Sequence, residues 1–348
     1  MTPNKKIAIV LFNLGGPDKL EAVKPFLFNL FFDKYIIKLP SFFRYFIAWI
    51  ISFRRESLAK EIYKQIGGRS PIVPETQKQI DALKKTLKTH IKSDFEIFMC
   101  MRHWHPMSSE IVKKIESYNP TEVILLPLYP QFSTTTSGSS IEDFIEALKK
   151  NKINATRKTI CCYPKEDSFI KSHVDLIQKG IKKVKNKDNY RILFSAHGLP
   201  ENVINAGDPY QWQIESTVSS VVAKLGQDNL DYKVSYQSKV GPLKWIGPNT
   251  EDEIKIASEQ KKELIIVPIA FVSEHVETLV ELDVEYKEIA DESGINYIRI
   301  PTLSVNELFI KSLENIIIKA SQEGGSFLLS NEMKRICPSY SKSCPCRV

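Results

Sequence analysis

Short apolar runs alternate with longer stretches of helical period along nearly the whole chain. Residues 7–12, 95–101, 123–130 and 157–160 read as strands in the first half, and 191–194, 233–237, 264–271 and 295–300 repeat the theme in the second. Several have few polar breaks, the pattern of strands covered on both faces of a parallel sheet. Helical periods fall near 75–91, from 141 onward, and at 169–185, 211–225 and 306–323. The alternation predicts an α/β fold of two doubly wound, Rossmann-like domains facing a shared cleft, with chemistry gathered at strand ends. The boundary is expected near residue 165, giving domains 1–165 and 166–304. Residues 305–348 then form a last helix and a tail that pack back on the first half.

One junction stands out. The apolar run 264–271 ends at Val272-Ser273, and a helical pattern begins at once, carrying Glu274, His275, Glu277, Glu281, Asp283 and Glu285. Glu277, Glu281 and Glu285 are four apart, so an α-helix stacks them as a ladder on one face. Like charges so placed repel unless a cation or proton sits among them. A solvated acidic face would read the same way, but this ladder starts where a strand delivers its helix, the place where open α/β folds hold ligands. A second strand end carries Ser195-Ala196-His197-Gly198-Leu199-Pro200. Since no GxSxG elbow is present, His197 belongs to no serine triad of that kind. Paired with Glu277 it makes a base-plus-acid site able to take protons or hold a hard divalent ion.

The other strand ends are plainer. Asn13-Leu14-Gly15-Gly16-Pro17-Asp18 allows a tight turn and a close approach of ligand to backbone, but is no GxGxxG, so no nucleotide cofactor is expected. Arg102-His103-Trp104-His105 holds two histidines fit for a metal or for ordinary capping and core use. The hydroxyl-rich loop 131–140 suits an anion or simply caps the helix after it. Residues 23–55 are crowded with aromatics, from Phe26 to Phe53, and read either as core faces of helices broken at Pro40 or as an exposed lip for a membrane or a flat ligand.

Composition is that of an ordinary globular protein, with 26% charged and 43% hydrophobic residues. The net charge of +7 comes with lysines scattered along helical stretches, and no basic motif with interleaved aromatics appears, so nucleic acid is not an expected partner. Absence of a transmembrane-length run or a cleavage signature points to a cytoplasmic protein. Of six cysteines, Cys337, Cys344 and Cys346 crowd the end as C-x6-C-x-C, a spacing that suggests a metal or cluster before disulfides. Cys100 lies inside an apolar strand and reads as core.

These motifs, in order, closely resemble the ferrochelatase family: NLGGPD, FRR, GGRSPI, PLYPQFSTTTSGSS, SAHGLP, YQSKVGPLKW and PIAFVSEHVETLVELDVEY, spanning roughly residues 7–310. The resemblance implies the chelatase fold, a porphyrin cleft between the domains, and insertion of ferrous iron into protoporphyrin IX in the last step of haem synthesis. It makes His197 the active-site histidine, Glu277 the glutamate opposite, and Glu281 and Glu285 an acidic path, so these four are the expected metal ligands. It assigns Leu14, Arg54, Arg55, Tyr63, Ser70, Tyr129, Leu243 and Trp245 to the porphyrin pocket and Arg102 to its metal side. His103 stands where animal members have tyrosine and receives no role. The aromatic stretch resembles the family's membrane-facing lip, which implies peripheral contact with the inner face of the cytoplasmic membrane; a homodimer is a further expectation.

Some members hold a [2Fe-2S] cluster on three C-terminal cysteines and one internal cysteine. The animal-type internal position is Thr134 here, so Cys161 or Cys162 becomes the candidate beside Cys337, Cys344 and Cys346. Two competing functions remain at this stage. One is a related chelatase acting on coproporphyrin or loading cobalt or nickel; the other is a two-lobed haem or iron carrier without chemistry.

Overall fold

The computed structural model describes residues 5–239 and 241–346; Val240, within the YQSKVGPLKW motif, lies outside them. Two compact units emerge. One comprises Met1–Tyr163, Leu313–Ile336 and Pro345–Val348, the other Pro164–Ser312 and Cys337–Cys344.

The first unit runs β1 (Lys6–Asn13), α1 (Val23–Phe31), α2 (Ser41–Lys64), α3 (Ile72–His90), β2 (Asp94–Met101), α4 (Ser108–Tyr118), β3 (Glu122–Pro127), α5 (Ser139–Lys150) and β4 (Thr156–Ile160). Strand β1 is buried from Ile7 to Asn13, as its unbroken apolar run requires of a central parallel strand. Val10, Phe12, Cys100, Val112, Leu125 and Phe144 form one face of the core, which places Cys100 where its sequence context predicted.

The second unit runs α6 (Asp167–Ile181), β5 (Tyr190–His197), α7 (Glu201–Asn205), α8 (Tyr210–Leu225), β6 (Tyr232–Gln237), α9 (Thr250–Glu259), β7 (Glu263–Pro268), α10 (Tyr286–Glu292) and β8 (Tyr297–Arg299). Its sheet is parallel in the order β6-β5-β7-β8. Helix α11 (Glu307–Gln322) and strand β9 (Phe327–Leu329) follow, and β9 completes the first unit's parallel sheet as β2-β1-β3-β4-β9. Both units therefore share one winding: the second strand lies outside the first, and the third on its other side. Each has a crevice where the winding reverses, at the carboxyl ends of β1 and β3 or of β5 and β7, and such crevices are where doubly wound sheets hold ligands.

Two sequence expectations are corrected. The segment after β7 does not enter a helix at once: turns and bends occupy 269–275, and helical structure starts at Val276. From Glu277 to Glu285 it is a π-helix, not the α-helix the ladder assumed. The hydrogen bonds say why. Tyr286 N donates to Glu281 O, five residues back, while Leu282 O, its α-helical acceptor, receives the Tyr297 hydroxyl at 2.6 Å.

The aromatic stretch divides between its two readings. Phe26 is buried, whereas α2 exposes Phe42, Phe43, Tyr45, Phe46, Trp49 and Phe53, with Phe42 67% exposed. Among the described residues no helix is long and apolar enough to cross a membrane.

Candidate active site

The crevice between β5 and β7 brings His197 and the acidic segment together. His197 is the last residue of β5, and Glu277 opens the π-helix that follows β7. His197 Nδ1 lies 2.9 Å from Glu277 Oε2. A second histidine joins them: His275, 6% exposed, has its Nε2 3.7 Å from the same oxygen and its Nδ1 3.2 Å from Ser273 O. Sequence reading placed His275 in the segment without a role, since its position two residues before Glu277 does not show that its ring turns back to that carboxylate.

The electrostatics follow from this packing. Burial opposes a charge on His197, but the Glu277 carboxylate outweighs it and raises the imidazole pKa. For Glu277 burial again favours the neutral form, yet His197 and His275 hold its carboxyl well below the usual carboxylate range. Glu281 is the opposite case: burial and the Glu277 charge push it up to about 7, against the pull of Ser238. Its oxygens accept from Gln237 Nε2 at 3.0 Å and Ser238 Oγ at 2.7 and 2.9 Å. Burial, then Glu251 and Glu288, raises Glu285, which is exposed. The row thus runs from half-buried to open, with the His197–Glu277 hydrogen bond at its inner end and a readily protonated carboxyl in the middle.

The loops after β5 and β6 close over one side. Trp245 pairs with Pro200 as an antiparallel bridge, and Ile246 N donates to Leu199 O at 3.0 Å. This sets the indole edge-on to His197, with ring centroids 6.4 Å apart. A side chain at Gly198 would lie 3.0 Å from Gln237 O and 3.2 Å from Trp245 Cε3, so the glycine of the SAHGLP motif permits the approach. A cavity of about 120 Å³ opens there, lined by Gly198, Tyr236, Gln237, Lys239 and Trp245 among others. Leu243 is 52% exposed on the same loop.

The remaining candidates lie in the first unit, at and around its own crevice. Arg102 N donates to Asn13 O and His103 N to Leu14 O, so the turns after β1 and β2 are bonded to one another. Ser70 is buried against Gly16, where an added Cβ would fall 2.5 Å from Ser70 Cβ. Arg102 is engaged by its own protein: Nε donates to Ser139 Oγ at 2.6 Å, Nη2 lies 3.1 Å from Asp33 and Nη1 3.7 Å from Asp143. The Tyr129 hydroxyl is buried beside that of Ser140, and burial drives its pKa up against that contact. His103 is buried with its Nε2 3.9 Å from Asp33 Oδ2, and burial, with the neighbouring Arg102 charge, holds that imidazole neutral. Arg54 is exposed on α2, Arg55 stacks 5.9 Å from the Phe31 ring centroid, and Tyr63 is buried.

All five candidate cluster cysteines are buried. Cys161 Sγ lies 3.3 Å from Cys346 Sγ and 3.5 Å from Cys162 Sγ, and these neighbouring thiols, with burial, raise its pKa well above the usual thiol value. In the second unit Gln213 Nε2 donates to Cys337 Sγ at 3.1 Å. Thiols packed sulfur to sulfur fit a thiophilic centre, because each proton a metal displaces removes a crowded S–H. Among the described residues, however, no three His, Cys, Asp or Glu side chains are already grouped so as to hold a metal ion.

The two parallel sheets are those of the metal chelatases. The sirohydrochlorin chelatase of Bacillus subtilis subspecies spizizenii, solved in complex with cobalt, superposes with a TM-score of 0.52 at 10% identity, covering 91% of this chain and 96% of that one. The ferrochelatase family model matches residues 6–321. Ferrochelatases of Rickettsia felis and Rickettsia bellii are 55% and 57% identical, covering 99% and 98% of this chain and 99% and 95% of theirs. That of Pelagibacter ubique is 52% identical over 98% of both chains. The chain belongs to the ferrochelatase family. These relatives lend no support to the alternatives of a non-catalytic carrier or a chelatase for another metal.

Proposed function

We propose that this chain inserts Fe2+ into protoporphyrin IX, releasing two protons to give protohaem, at the centre formed by His197 and Glu277. The observation that carries this reading is the 2.9 Å contact between His197 Nδ1 and Glu277 Oε2 at the crevice where β5 and β7 end. Glu277 engages Nδ1, so Nε2 is the nitrogen free to meet a pyrrole N–H. Neutral His197 accepts that proton, and the carboxylate stabilises the imidazolium that results. Exchange of two N–H protons for one divalent cation leaves the macrocycle's charge unchanged, so the protein must export two protons as it admits one metal ion. Glu281, with a pKa near 7, both takes up and gives back a proton near neutrality, and Glu285 passes it to water. The same oxygens replace water on the incoming ion one ligand at a time, as hard carboxylates do.

Leu14, Ser70, Arg102, Tyr129, Leu243 and Trp245 are the residues read as apolar wall and polar anchor for the macrocycle. Arg54, Arg55 and Tyr63 extend that set along α2. The exposed aromatic face of α2 touches the cytoplasmic membrane, where an insoluble substrate and product reside. Cys337, Cys344, Cys346 and Cys161, whose sulfur already touches that of Cys346, would hold a [2Fe-2S] cluster, which when bound supplies a redox-labile tie. Cys162 is the neighbouring alternative.

The test is Zn2+ or Fe2+ insertion read from the Soret band, with wild type, His197→Ala and Glu277→Gln. Both variants should lose turnover by about 100-fold or more while still quenching porphyrin fluorescence on binding. Turnover of either variant close to wild type would refute the assignment.

A further inference from the structure

Strand β8 contributes no residue to the site just described, yet its last residue grips the segment that does. Arg299 Nη1 donates to Glu274 Oε1 at 2.6 Å, and Nε donates to Asp283 Oδ1 at 2.7 Å. Its Nη2 pairs with the other Asp283 oxygen. Glu274 precedes Glu277 by three residues and Asp283 follows it by six, so one guanidinium joins the two sides of the stretch that carries Glu277 and Glu281. The side chain is 14% exposed, so solvent screens these pairs little. Two further bonds reach from the same strand and the loop after it: Tyr297 Oη to Leu282 O at 2.6 Å, and Thr302 N to Glu274 Oε1 at 3.0 Å.

The grip matters because the π register is the less favourable one. A helix bonded five residues apart has poorer geometry than an α-helix, and π segments occur mainly where something outside holds them. Loss of one residue of register turns each later side chain by about a quarter turn or more around the axis. Glu277 would then leave His197, or Glu281 would leave Gln237 and Ser238. A planar fork with two nitrogens on one carboxylate and the third on another fixes distance and angle together, which a point charge on a flexible stem does not.

We propose that Arg299 is a positioning residue for metal insertion: joined to Glu274 and Asp283, it holds the π register that keeps Glu277 on His197 and Glu281 on Gln237 and Ser238. The inference rests on the His197–Glu277 reading of the site. It contributes no contact to substrate and no proton.

The experiment uses the full chain with Arg299→Gln and Arg299→Lys, and steady-state Zn2+ insertion with KM measured separately for metal and porphyrin. Arg299→Gln should lose roughly 10- to 100-fold in kcat and raise KM for Zn2+ several-fold, with porphyrin affinity by fluorescence quenching unchanged within about twofold. Arg299→Lys should fall between, since it keeps the charge without the fork. A merely structural arginine would lower the melting temperature and the folded fraction, leaving both KM values of the folded enzyme as in wild type. Wild-type metal parameters in folded Arg299→Gln, or full recovery in Arg299→Lys, overturns the proposal. Should Arg299→Gln fail to fold, Asp283→Asn loosens the two-nitrogen half alone. It must then show the same split between metal and porphyrin at smaller size, and its absence is equally decisive. His197→Ala and Glu277→Gln run alongside: if they turn over normally, the site reading itself has failed. If they are inactive while the Arg299 variants behave as wild type, only the role of Arg299 has failed.

Discussion

Replacement of Glu281 by glutamine tests the electrostatics of the site without any substrate. Burial, together with the Glu277 charge, raises the Glu281 pKa from its ordinary 4.5 to about 7. Between those values the folded chain keeps a proton that the unfolded chain has released. The stability this contributes is fully present below about pH 4.5 and is lost as pH rises through about 7. At 1.36 kcal/mol per pKa unit, the whole span corresponds to about 3 kcal/mol, most of it falling between about pH 5 and pH 8.5. An amide has no such proton to lose. The fixed offset between wild type and Glu281→Gln depends on how well the amide bonds to Gln237 and Ser238, but the change in that offset with pH depends on the proton alone. Glu281→Gln should therefore gain about 2–3 kcal/mol on wild type between about pH 5 and about pH 8.5. Urea unfolding followed by far-UV circular dichroism at several pH values, fitted to the transition of the second unit, measures this. An offset that stays constant with pH, or one that turns against the variant as pH rises, refutes the placement of Glu281 as a carboxyl poised near neutrality.

Two predictions concern features away from the acidic row. Anaerobically purified protein should be coloured, with visible absorbance and about two iron and two sulfide per chain, and Cys161→Ser should bleach it. A colourless, iron-free and fully folded preparation removes the cluster. For the face of α2, combined Phe42→Ser, Phe46→Ser and Trp49→Ser should weaken partition onto phosphatidylglycerol vesicles by roughly 100-fold, each lost ring costing about 1 kcal/mol or more. Unchanged partition would mean that this face does not meet lipid.

Much of the fold could be read from periodicity because its central strands are buried on both faces. Residues 7–12 and 264–268 are apolar without interruption, and both prove to be inner strands of parallel sheets. What escaped has a physical reason in each case. Strand β9 has three residues, too few for any period to show, and pairs only through Lys158, Thr159 and Ile160. Helix α4 begins after Met107 with a mixed Ser-Ser-Glu turn, and α9 opens on Thr-Glu-Asp-Glu behind an Asn249 cap. Their polar first turns hid the helical spacings, four residues from Ile111 to Ile115 and three from Ile254 to Ala257, that bury those side chains. The partners of Glu277 were legible only in part: His197 through its strand-end motif, His275 not at all, since nothing in the sequence says that a residue two before a glutamate turns back to it.

The acidic ladder shows why correct residues can still carry the wrong geometry. A spacing of four overshoots one turn of an α-helix and falls short of one turn of a π-helix, so the same three glutamates stagger in opposite senses around the two axes. In the α form Glu281 would lean to one side of Glu277; in the π form it leans to the other, where Gln237 and Ser238 donate to it. No residue within 277–285 announces this choice. The contacts that go with it come from outside: the Tyr297 hydroxyl bonds the carbonyl that Tyr286 N would take in an α-helix, and Arg299 spans the segment from the same strand. These contacts come from more than ten residues downstream, on the strand read at 295–300, where nothing marked Arg299 as a partner of the acidic segment. A charge in a buried strand needs a partner, and here the partners it finds, Glu274 and Asp283, flank Glu277.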